Sequence, residues 1–352
     1  MYKNADEQLN LRSMTALEIS EVLKQNGIER YRGKQIFSWL YKHVDSFEKM
    51  TDIPKKHIEQ LYRLFYIDAL HTSNIWASQT DDTQKYLFTL DDGHTVESVS
   101  MKYEHGNSIC VSSQVGCKMG CAFCASTQAG FVRNLRPSEM LLQLEYVIRD
   151  RMKTQPDYRI SNVVIMGIGE PLDNYDAVVR FLRLINEPGG FGIGYRHISL
   201  STCGLVPQIY RLAEEGMPIT LSVSLHTPDN VVRSQLMPIN HRYPIEELIM
   251  ACKEYGRKNN RRISFEYALI QGVNDSIADA RKLAKLLTGI LCHVNLILIN
   301  PIKERNFVTS TKQTQVLFVK TLEENHINVT IRRRLGLDID AACGQLRKSH
   351  MN

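Results

Sequence analysis

The sequence predicts an α/β protein with a parallel sheet in the form of a partial (β/α)6 barrel. From Ser108 onward, short runs of β-branched residues alternate with amphipathic helical stretches, a pattern typical of βα units. Six such units are two fewer than a closed eight-fold barrel requires, and no strands within 108–300 have the spacing of an antiparallel hairpin. We therefore expect an open barrel, with a doubly wound sheet as the alternative.

Residues 1–70 are predicted to form a small helical domain. Thr15 and Glu18 have the spacing of a capping box at a helix start. The apolar residues expected to face its core are Leu17, Val22, Leu23, Ile36, Phe37, Leu40 and Tyr41.

Residues 71–105 are predicted to be a linker and a β-hairpin. Two β-rich runs, 85–90 and 94–101, flank Asp91, Asp92 and Gly93, which are typical turn residues. The hairpin indicates a boundary near residue 100.

The barrel core is predicted over 106–310. Its strands are expected at 108–113, 162–167, 197–202, 220–225, 262–269 and 293–299. Helices are expected at 138–152, 174–186, 245–257 and 276–288, the last ending before Gly289.

The last unit, 311–352, is predicted to contain a helix, a strand and a cysteine-bearing tail. Ser310 and Gln313 have capping-box spacing for the helix, and the strand is expected at 328–332. Cys343 lies in the tail.

Composition excludes several classes of protein. With 43% hydrophobic and 23% charged residues the chain is expected to be globular, and no apolar run is long enough for a membrane span or a signal peptide. We therefore expect a cytoplasmic protein whose eight cysteines are reduced. The net charge of +5 permits a polyanionic partner without requiring one.

Three cysteines, Cys117, Cys121 and Cys124, follow the first barrel strand in a glycine-rich loop. A structural zinc site usually has four ligands, and no fourth lies near in sequence. Three thiolates can instead hold a 4Fe-4S cluster and leave one iron open to a small molecule such as S-adenosylmethionine (SAM).

A second motif, Gly169 and Glu170, follows the next strand. Pro171 and Leu172 stand where a dinucleotide-binding fingerprint would need other residues, so that interpretation is weak. The carboxylate of Glu170 is suited to hold the SAM amino group.

Beyond this motif, the sequence resembles the RlmN/Cfr family of radical-SAM RNA adenine methyltransferases, from about residue 15 to the end. The stretches that carry the resemblance are 110–117, 125–127, 130–135, 166–171, 224–226, 236–240 and 338–345. Pro171 is typical of the RlmN branch, which methylates carbon 2 of adenine, whereas Cfr proteins methylate carbon 8 and typically have alanine there.

The resemblance implies a radical-SAM barrel and a reaction at an adenine of 23S rRNA and of some tRNAs. It assigns the cluster to Cys117, Cys121 and Cys124. Cys343 would carry the methyl group and add it to the base by a radical route, which joins enzyme and RNA covalently. The route would use two SAM molecules per turnover.

The resemblance also assigns the remaining site residues. Cys110 would release the product through a transient disulfide, and Glu97 would accept the proton. SAM contacts would fall at Gly169, Glu170, Ser201, Ser224, Leu225, His226 and Asn300. We expect a monomer that receives electrons from an external donor of the flavodoxin or ferredoxin type.

The resemblance implies that the helical domain at 1–70 is an RNA-binding accessory domain. RNA contacts are expected from three basic patches, the first of them in this domain. Their members are Arg30, Arg32 and Lys34; Lys118 and Arg133; and Arg332, Arg333 and Arg334. Cys252 and Cys292 are expected to be packed core thiols, and no chemistry is assigned to Cys203. Two alternatives stay open: a Cfr-type carbon 8 methyltransferase that confers antibiotic resistance, and a non-catalytic zinc- and RNA-binding protein.

Overall fold

The computed structural model describes residues 1–42, 44–300 and 306–346; the end of the predicted last unit, residues 347–352, lies outside them. The N-terminal part is a three-helix unit with its own apolar core. Its elements are β1 (Leu9–Asn10), α1 (Ala16–Gln25), α2 (Arg32–Leu40), α3 (Lys55–Leu64) and β2 (Phe65–Tyr66). Parallel pairing of β1 with β2 joins the two ends of the unit.

Helix α1 begins with the predicted capping box. The Thr15 hydroxyl accepts the Glu18 N–H, and the Glu18 carboxylate accepts the Thr15 N–H. The assignment of Leu17 to the core is wrong, because its side chain is 60% exposed while Ile19 and Leu23 are buried. Two residues along a helix are rotated by about 200°, so residue 17 points away from the face of residue 19.

The rest of the chain is organised around one ten-stranded sheet, which begins with four antiparallel strands. These are β3 (His71–Ala77), β4 (Gln84–Thr89), β5 (Thr95–Tyr103) and β6 (Gly106–Cys110). The predicted hairpin is β4 and β5. Because β5 also pairs with β6, the hairpin extends the main sheet. The domain limits themselves stay predictions.

A short antiparallel pair encloses the cysteine loop. Strand β7 (Gln114–Gly116) pairs with β8 (Phe131–Asn134). An antiparallel pair thus lies within 108–300, although the sequence there shows no hairpin spacing. The intervening loop, 117–130, is far longer than a hairpin turn, so the local spacing of the sequence does not reveal the pairing.

The parallel part of the sheet confirms the predicted βα series and the α/β fold class. Its further strands are β9 (Asn162–Ile165), β10 (Ile198–Thr202), β11 (Thr220–Ser224), β12 (Ile263–Leu269), β13 (Cys292–Leu298) and β14 (Val329–Ile331). Its helices are α4 (Pro137–Met152), α5 (Tyr175–Asn186), α6 (Val206–Ala213), α7 (Asn230–Leu236), α8 (Ile245–Asn259), α9 (Ile277–Leu287) and α10 (Lys312–Glu324).

The strand order is β14-β13-β12-β11-β10-β9-β6-β5-β4-β3, so the sheet is an open, partial barrel. Buried side chains from its strands and flanking helices form the main core, which contains Cys252 and Cys292 as predicted. No helix in the described parts of the chain is long and apolar enough to span a bilayer.

Helix α10 begins one residue later than predicted. The hydroxyl of Thr311, not of Ser310, caps the helix by accepting the Thr314 N–H at 3.2 Å. The Ser310 hydroxyl instead donates to Asp275 at 2.7 Å. Two adjacent hydroxyl residues allow either register, and this contact with Asp275 decides between them.

Candidate active site

A cavity of about 990 Å³, counting the space at its mouth, lies at the carboxyl ends of the parallel strands. Ligands of α/β proteins bind at this end because the loops that follow the strands converge there. The predicted site residues that line it are Cys117, Cys121, Cys124, Gly169, Glu170, Ser201, Ser224, His226, Asn300 and Cys343. Residues far apart in the sequence therefore meet in one place.

The three motif cysteines are held by the loop between β7 and β8. At Gly116, where φ is 74°, a Cβ would lie 1.7 Å from the Gly130 carbonyl oxygen, so glycine is required for this close approach. Burial raises the pKa of Cys117 to about 12 and raises that of Cys121 well above its usual range. Buried thiols of this kind become thiolates when a metal binds them.

The donor set fits a 4Fe-4S cluster. Cys117, Cys121 and Cys124 line one cavity, and three thiolates can hold such a cluster while one iron stays open to a small molecule. A structural zinc site usually has four protein ligands.

Glu170 follows β9 and has a buried carboxylate. Its two oxygens accept the N–H groups of Leu172 at 3.0 Å and Cys203 at 2.7 Å. Burial nevertheless raises the pKa of Glu170. A bound cation would offset that cost, and the amino group of SAM is such a cation.

His226 lies at the end of β11 in the left-handed backbone region, with φ of 60°. Its Nδ1 accepts the Ala268 N–H at 2.9 Å, and its ring packs edge-on against Phe123. Burial lowers the pKa of His226 to about 3, and the charge of Arg233 acts in the same direction. The imidazole is therefore neutral, with its proton on Nε2 available to a ligand.

Asn300 gives the clearest indication of a ligand. Its Nδ2 donates to the Cys343 carbonyl at 3.1 Å. Its Oδ1 is buried and accepts no hydrogen bond from any described residue. An unpaired buried acceptor costs about 1–3 kcal/mol, so a hydroxyl or amino group of SAM fits this position.

The tail that carries Cys343 is attached to the cysteine loop. The Ala125 N–H donates to the Gly344 carbonyl at 2.8 Å. The Ser126 hydroxyl donates to the Leu346 carbonyl at 2.7 Å. These two bonds place Cys343 beside the motif cysteines.

Cys110 lies close to the same tail. It lines a second, smaller cavity together with Cys124 and Cys343. Burial raises the pKa of Cys110 to about 12, and the negative charge of a Cys343 thiolate acts in the same direction. All eight cysteines are free, but these two share one cavity.

Arg332, predicted as an RNA contact, also faces this site, and its side chain is only 20% exposed. Its Nη1 lies 3.7 Å from the Glu266 carboxylate. The Cys343 thiolate raises the pKa of Arg332. The Arg332 N–H continues the pairing of β14 by donating to Leu296, which directs its side chain inward while Arg333 and Arg334 are exposed.

Two other predicted RNA contacts are held in internal ion pairs. Arg32 is buried and bonded to Glu29. Arg133 is paired with Asp92 and Glu139, which raise its pKa even though burial opposes this. Both side chains therefore have structural partners.

Comparison with known proteins decides the family. The Radical SAM superfamily model matches residues 111–284, and the model of the ribosomal RNA large subunit methyltransferase N-terminal domain matches residues 9–67. A protein of Thermoanaerobacter sp. (strain X514), described as a probable dual-specificity RNA methyltransferase RlmN, is 49% identical over 344 residues, covering 97% of this chain and 98% of its own. The chain belongs to the RlmN family of radical-SAM RNA methyltransferases.

Other RlmN-family proteins are similarly close. A probable dual-specificity RNA methyltransferase RlmN of Clostridium novyi (strain NT) is 49% identical over 345 residues, covering 97% of this chain and 98% of its own. The crystal structure of a radical SAM methyltransferase from Sphaerobacter thermophilus is 42% identical, with a TM-score of 0.90, and the match covers 96% of this chain and 99% of that one. The family prediction is confirmed, and membership implies a 4Fe-4S cluster and SAM.

Two RlmN-type residues predicted for the site are not among the described side chains that line either the main cavity or the smaller one that contains Cys110. Glu97 on β5 is buried, with its carboxylate 3.6 Å from the Lys85 ammonium. Leu225 is buried in the main core, and its N–H donates to the Glu266 carbonyl at 3.1 Å. Their roles stay predictions.

Sequence reasoning missed the residue that joins two loops of this RlmN-family site. Arg233 is fully buried, and its Nη2 donates to the carbonyls of Cys203 at 2.8 Å and Ser224 at 2.9 Å. It lies on α7, a seven-residue helix too short to show clear periodicity. A buried arginine that binds only neutral groups has no signal in the sequence.

Proposed function

We propose that the protein methylates carbon 2 of an adenine in 23S rRNA and in some tRNAs, with Cys343 as the methyl carrier. The observation that carries this proposal is the position of Cys343 on the cavity lined by the three motif cysteines. Carbon 2 lies between two ring nitrogens and is electron-poor, so it cannot attack the methyl group of SAM as a nucleophile. A thiol that carries the methyl group beside a source of radicals allows carbon 2 to be methylated by a radical route instead.

The residues present fit the implied cofactors. Cys117, Cys121 and Cys124 would hold the cluster, and Glu170 and Asn300 would bind SAM. When bound, the cluster supplies the electron that cleaves SAM and so provides the radical. One further SAM would methylate the thiol, which makes two per methyl group transferred.

Cys343 would act first as an ordinary nucleophile. Its sulfur forms a bond to the SAM methyl carbon while the bond from that carbon to the sulfonium sulfur breaks, giving S-methylcysteine and S-adenosylhomocysteine. The thiol must first lose its proton to solvent. Arg332 lines the same cavity as Cys343.

Cys110 would end the reaction by attacking the Cys343 sulfur. A disulfide forms between the two residues while the bond from the Cys343 sulfur to the carbon joined to adenine breaks, and that carbon keeps the electron pair and takes up a proton to become the methyl group of the product. Two electrons from the external donor then return the disulfide to two thiols. Support comes from the cavity shared by the two thiols. Glu97 would accept the proton from carbon 2. It lies on the same side of β5 as Val99, which pairs with Cys110 across the sheet.

The remaining parts of the proposal follow from this reaction. The protein acts as a monomer in the cytoplasm, where rRNA and tRNA are found. A flavodoxin- or ferredoxin-type protein supplies the electrons, because the radical step consumes one.

Mass spectrometry of RNA digests tests the function. The anaerobically reconstituted protein is incubated with methyl-deuterated SAM, a reductant and unmodified 23S rRNA. We expect 2-methyladenosine from the wild type and from Cys292→Ala, whose thiol lies at the start of β13, and none from Cys343→Ala. Finding 8-methyladenosine would overturn the carbon 2 assignment, and product from Cys343→Ala would overturn the carrier mechanism.

A further inference from the structure

The residues around Cys343 form a tail segment, 335–346, that is bonded to the turn between β3 and β4, residues 78–83. The Asp338 carboxylate accepts the Ser78 hydroxyl and the Gln79 N–H, each at 2.8 Å. In return, the Asp81 carboxylate accepts the Gly336 N–H at 3.0 Å. The tail and the turn therefore each supply one carboxylate that accepts hydrogen bonds from the other segment.

Both carboxylates are stabilised in their charged form by these bonds. The Gln79 N–H and then the Ser78 hydroxyl lower the pKa of Asp338. Burial raises the pKa of Asp81, but hydrogen bonds from Thr83 and Gly336 outweigh it and the pKa is lowered. The contact therefore has ionised acceptors at neutral pH, and hydrogen bonds to charged groups are the stronger kind.

The tail packs tightly against the turn. Gly336 has φ of 63°, and a Cβ there would lie 2.8 Å from the side chains of Thr83 and Ala341. The Lys85 ammonium donates to the Asp340 carbonyl at 3.4 Å, which adds a third point of attachment. Beyond Cys343, the tail is bonded to the cysteine loop at 125–126. Cys343 is thus held between two fixed points, one on each side.

We propose that the β3–β4 turn positions Cys343 for methylation, with Asp338 and Asp81 as positioning residues. This inference rests on the proposed function, in which the Cys343 sulfur must meet a methyl carbon in line with the bond that breaks. Neither carboxylate lines the cavity, so both act through the tail. A misplacement of about 1 Å can slow such a reaction by about 100-fold. The antiparallel extension of the sheet thereby serves the reaction.

The test compares two reactions of Cys343 in Asp338→Ala and Asp81→Ala. S-methylation by SAM is followed in a single turnover by intact-protein mass spectrometry, and alkylation by iodoacetamide is followed by peptide mass spectrometry. Methylation should slow about 10-fold or more because it needs a fixed geometry. Alkylation should become faster because a released thiol is more accessible.

The matched control is Asp157→Ala, an exposed carboxylate on the loop after α4, which should leave both rates unchanged. A variant that is merely less stable would have a lower unfolding midpoint. Slower methylation together with faster alkylation, at an unchanged unfolding midpoint, therefore excludes a loss of overall stability as the cause. Wild-type rates in both variants, or two rates that fall together with the unfolding midpoint, would overturn the positioning role.

A failure of the proposed function can be told apart from a failure of this inference. If the wild type forms no S-methylcysteine, the carrier mechanism fails, and hydrogen exchange then decides whether the turn holds the tail. Exchange over 335–346 should rise in both variants and not in Asp157→Ala. Unchanged exchange in the variants would overturn the inference.

Discussion

At the scale of single residues, burial sets the charge of His226. Burial of the ring, and then the nearby charge of Arg233, lower its pKa from 6.5 to about 3. The Nδ1 of the neutral ring accepts the Ala268 N–H. The folded protein therefore resists protonation of this ring at pH values where the unfolded chain accepts a proton. Folding stability therefore depends on the neutral ring.

A pH dependence of stability follows from this shift. Because the folded pKa is depressed, the contribution of His226 is complete above pH 6.5 and is lost as the pH falls toward 3. His226→Asn keeps an acceptor and tolerates the positive φ, but it does not titrate. The stability advantage of the wild type over this variant should therefore shrink by about 1.4 kcal/mol for each pH unit below 6.5.

Urea unfolding of the cluster-free protein between pH 7.5 and 4.5 measures this change. The exposed His197 provides the control, since His197→Asn should give a curve parallel to the wild type. Parallel curves for His226→Asn would show that the buried ring is not the titrating group.

At the scale of elements, a buried ion pair joins the three-helix unit to the barrel. The Arg12 guanidinium is paired with Glu145 on α4. It also donates to the carbonyls of Leu40 at 3.3 Å and Val44 at 2.9 Å. Both charged side chains are nearly inaccessible to solvent, so each depends on the other.

Removing one partner of this pair should be costly. Arg12→Met removes the guanidinium that neutralises the buried Glu145 carboxylate, and we expect a loss of about 3–5 kcal/mol in the free energy of unfolding. The double variant Arg12→Met, Glu145→Met should be more stable than Arg12→Met alone, because the buried carboxylate is then removed as well.

Urea denaturation of the three proteins tests this expectation. The exposed pair of Lys49 and Asp45 is the control, and Asp45→Asn should cost less than about 1 kcal/mol. Equal losses in the single and double variants would mean that packing, not charge, is responsible.

At the scale of the whole molecule, part of the mild excess of positive charge lies beside the candidate site. Arg333 and Arg334 are exposed and line a small cavity together with Cys343. Phosphate groups of an RNA that presents its adenine to Cys343 would pass these two side chains. The exposed end of this patch is therefore the part suited to RNA.

Reversing these two charges should weaken RNA binding. The double variant Arg333→Glu, Arg334→Glu should bind RNA more weakly than the wild type, with the largest difference at low salt. The slope of log affinity against log salt concentration should fall by about 1 for each phosphate that the variant no longer neutralises. Lys253→Glu with Lys285→Glu changes the net charge equally on exposed helix surfaces and is the control. Equal weakening in both variants would assign the effect to net charge alone.

Much of the fold could be predicted because it depends on local patterns. Alternating β-branched runs and amphipathic helices located all six core strands, and the capping box located the start of α1. Short or exposed elements such as β3, β7 and α7 were missed because a few residues carry too little periodicity. The register of α10 was missed because neighbouring Ser310 and Thr311 can both cap a helix.

The candidate site shows the same division. Residue spacing and motifs determined the family by themselves, since three cysteines at this spacing, together with further motifs, indicate it. Only the tertiary structure placed Cys343 and Cys110 in one cavity, directed Arg332 inward and left Asn300 Oδ1 without a partner among the described residues. The spacing of residues reveals the cluster ligands, because these three cysteines are close together in the chain. Burial, charge and reach depend on contacts between distant segments, which exist only in the folded molecule.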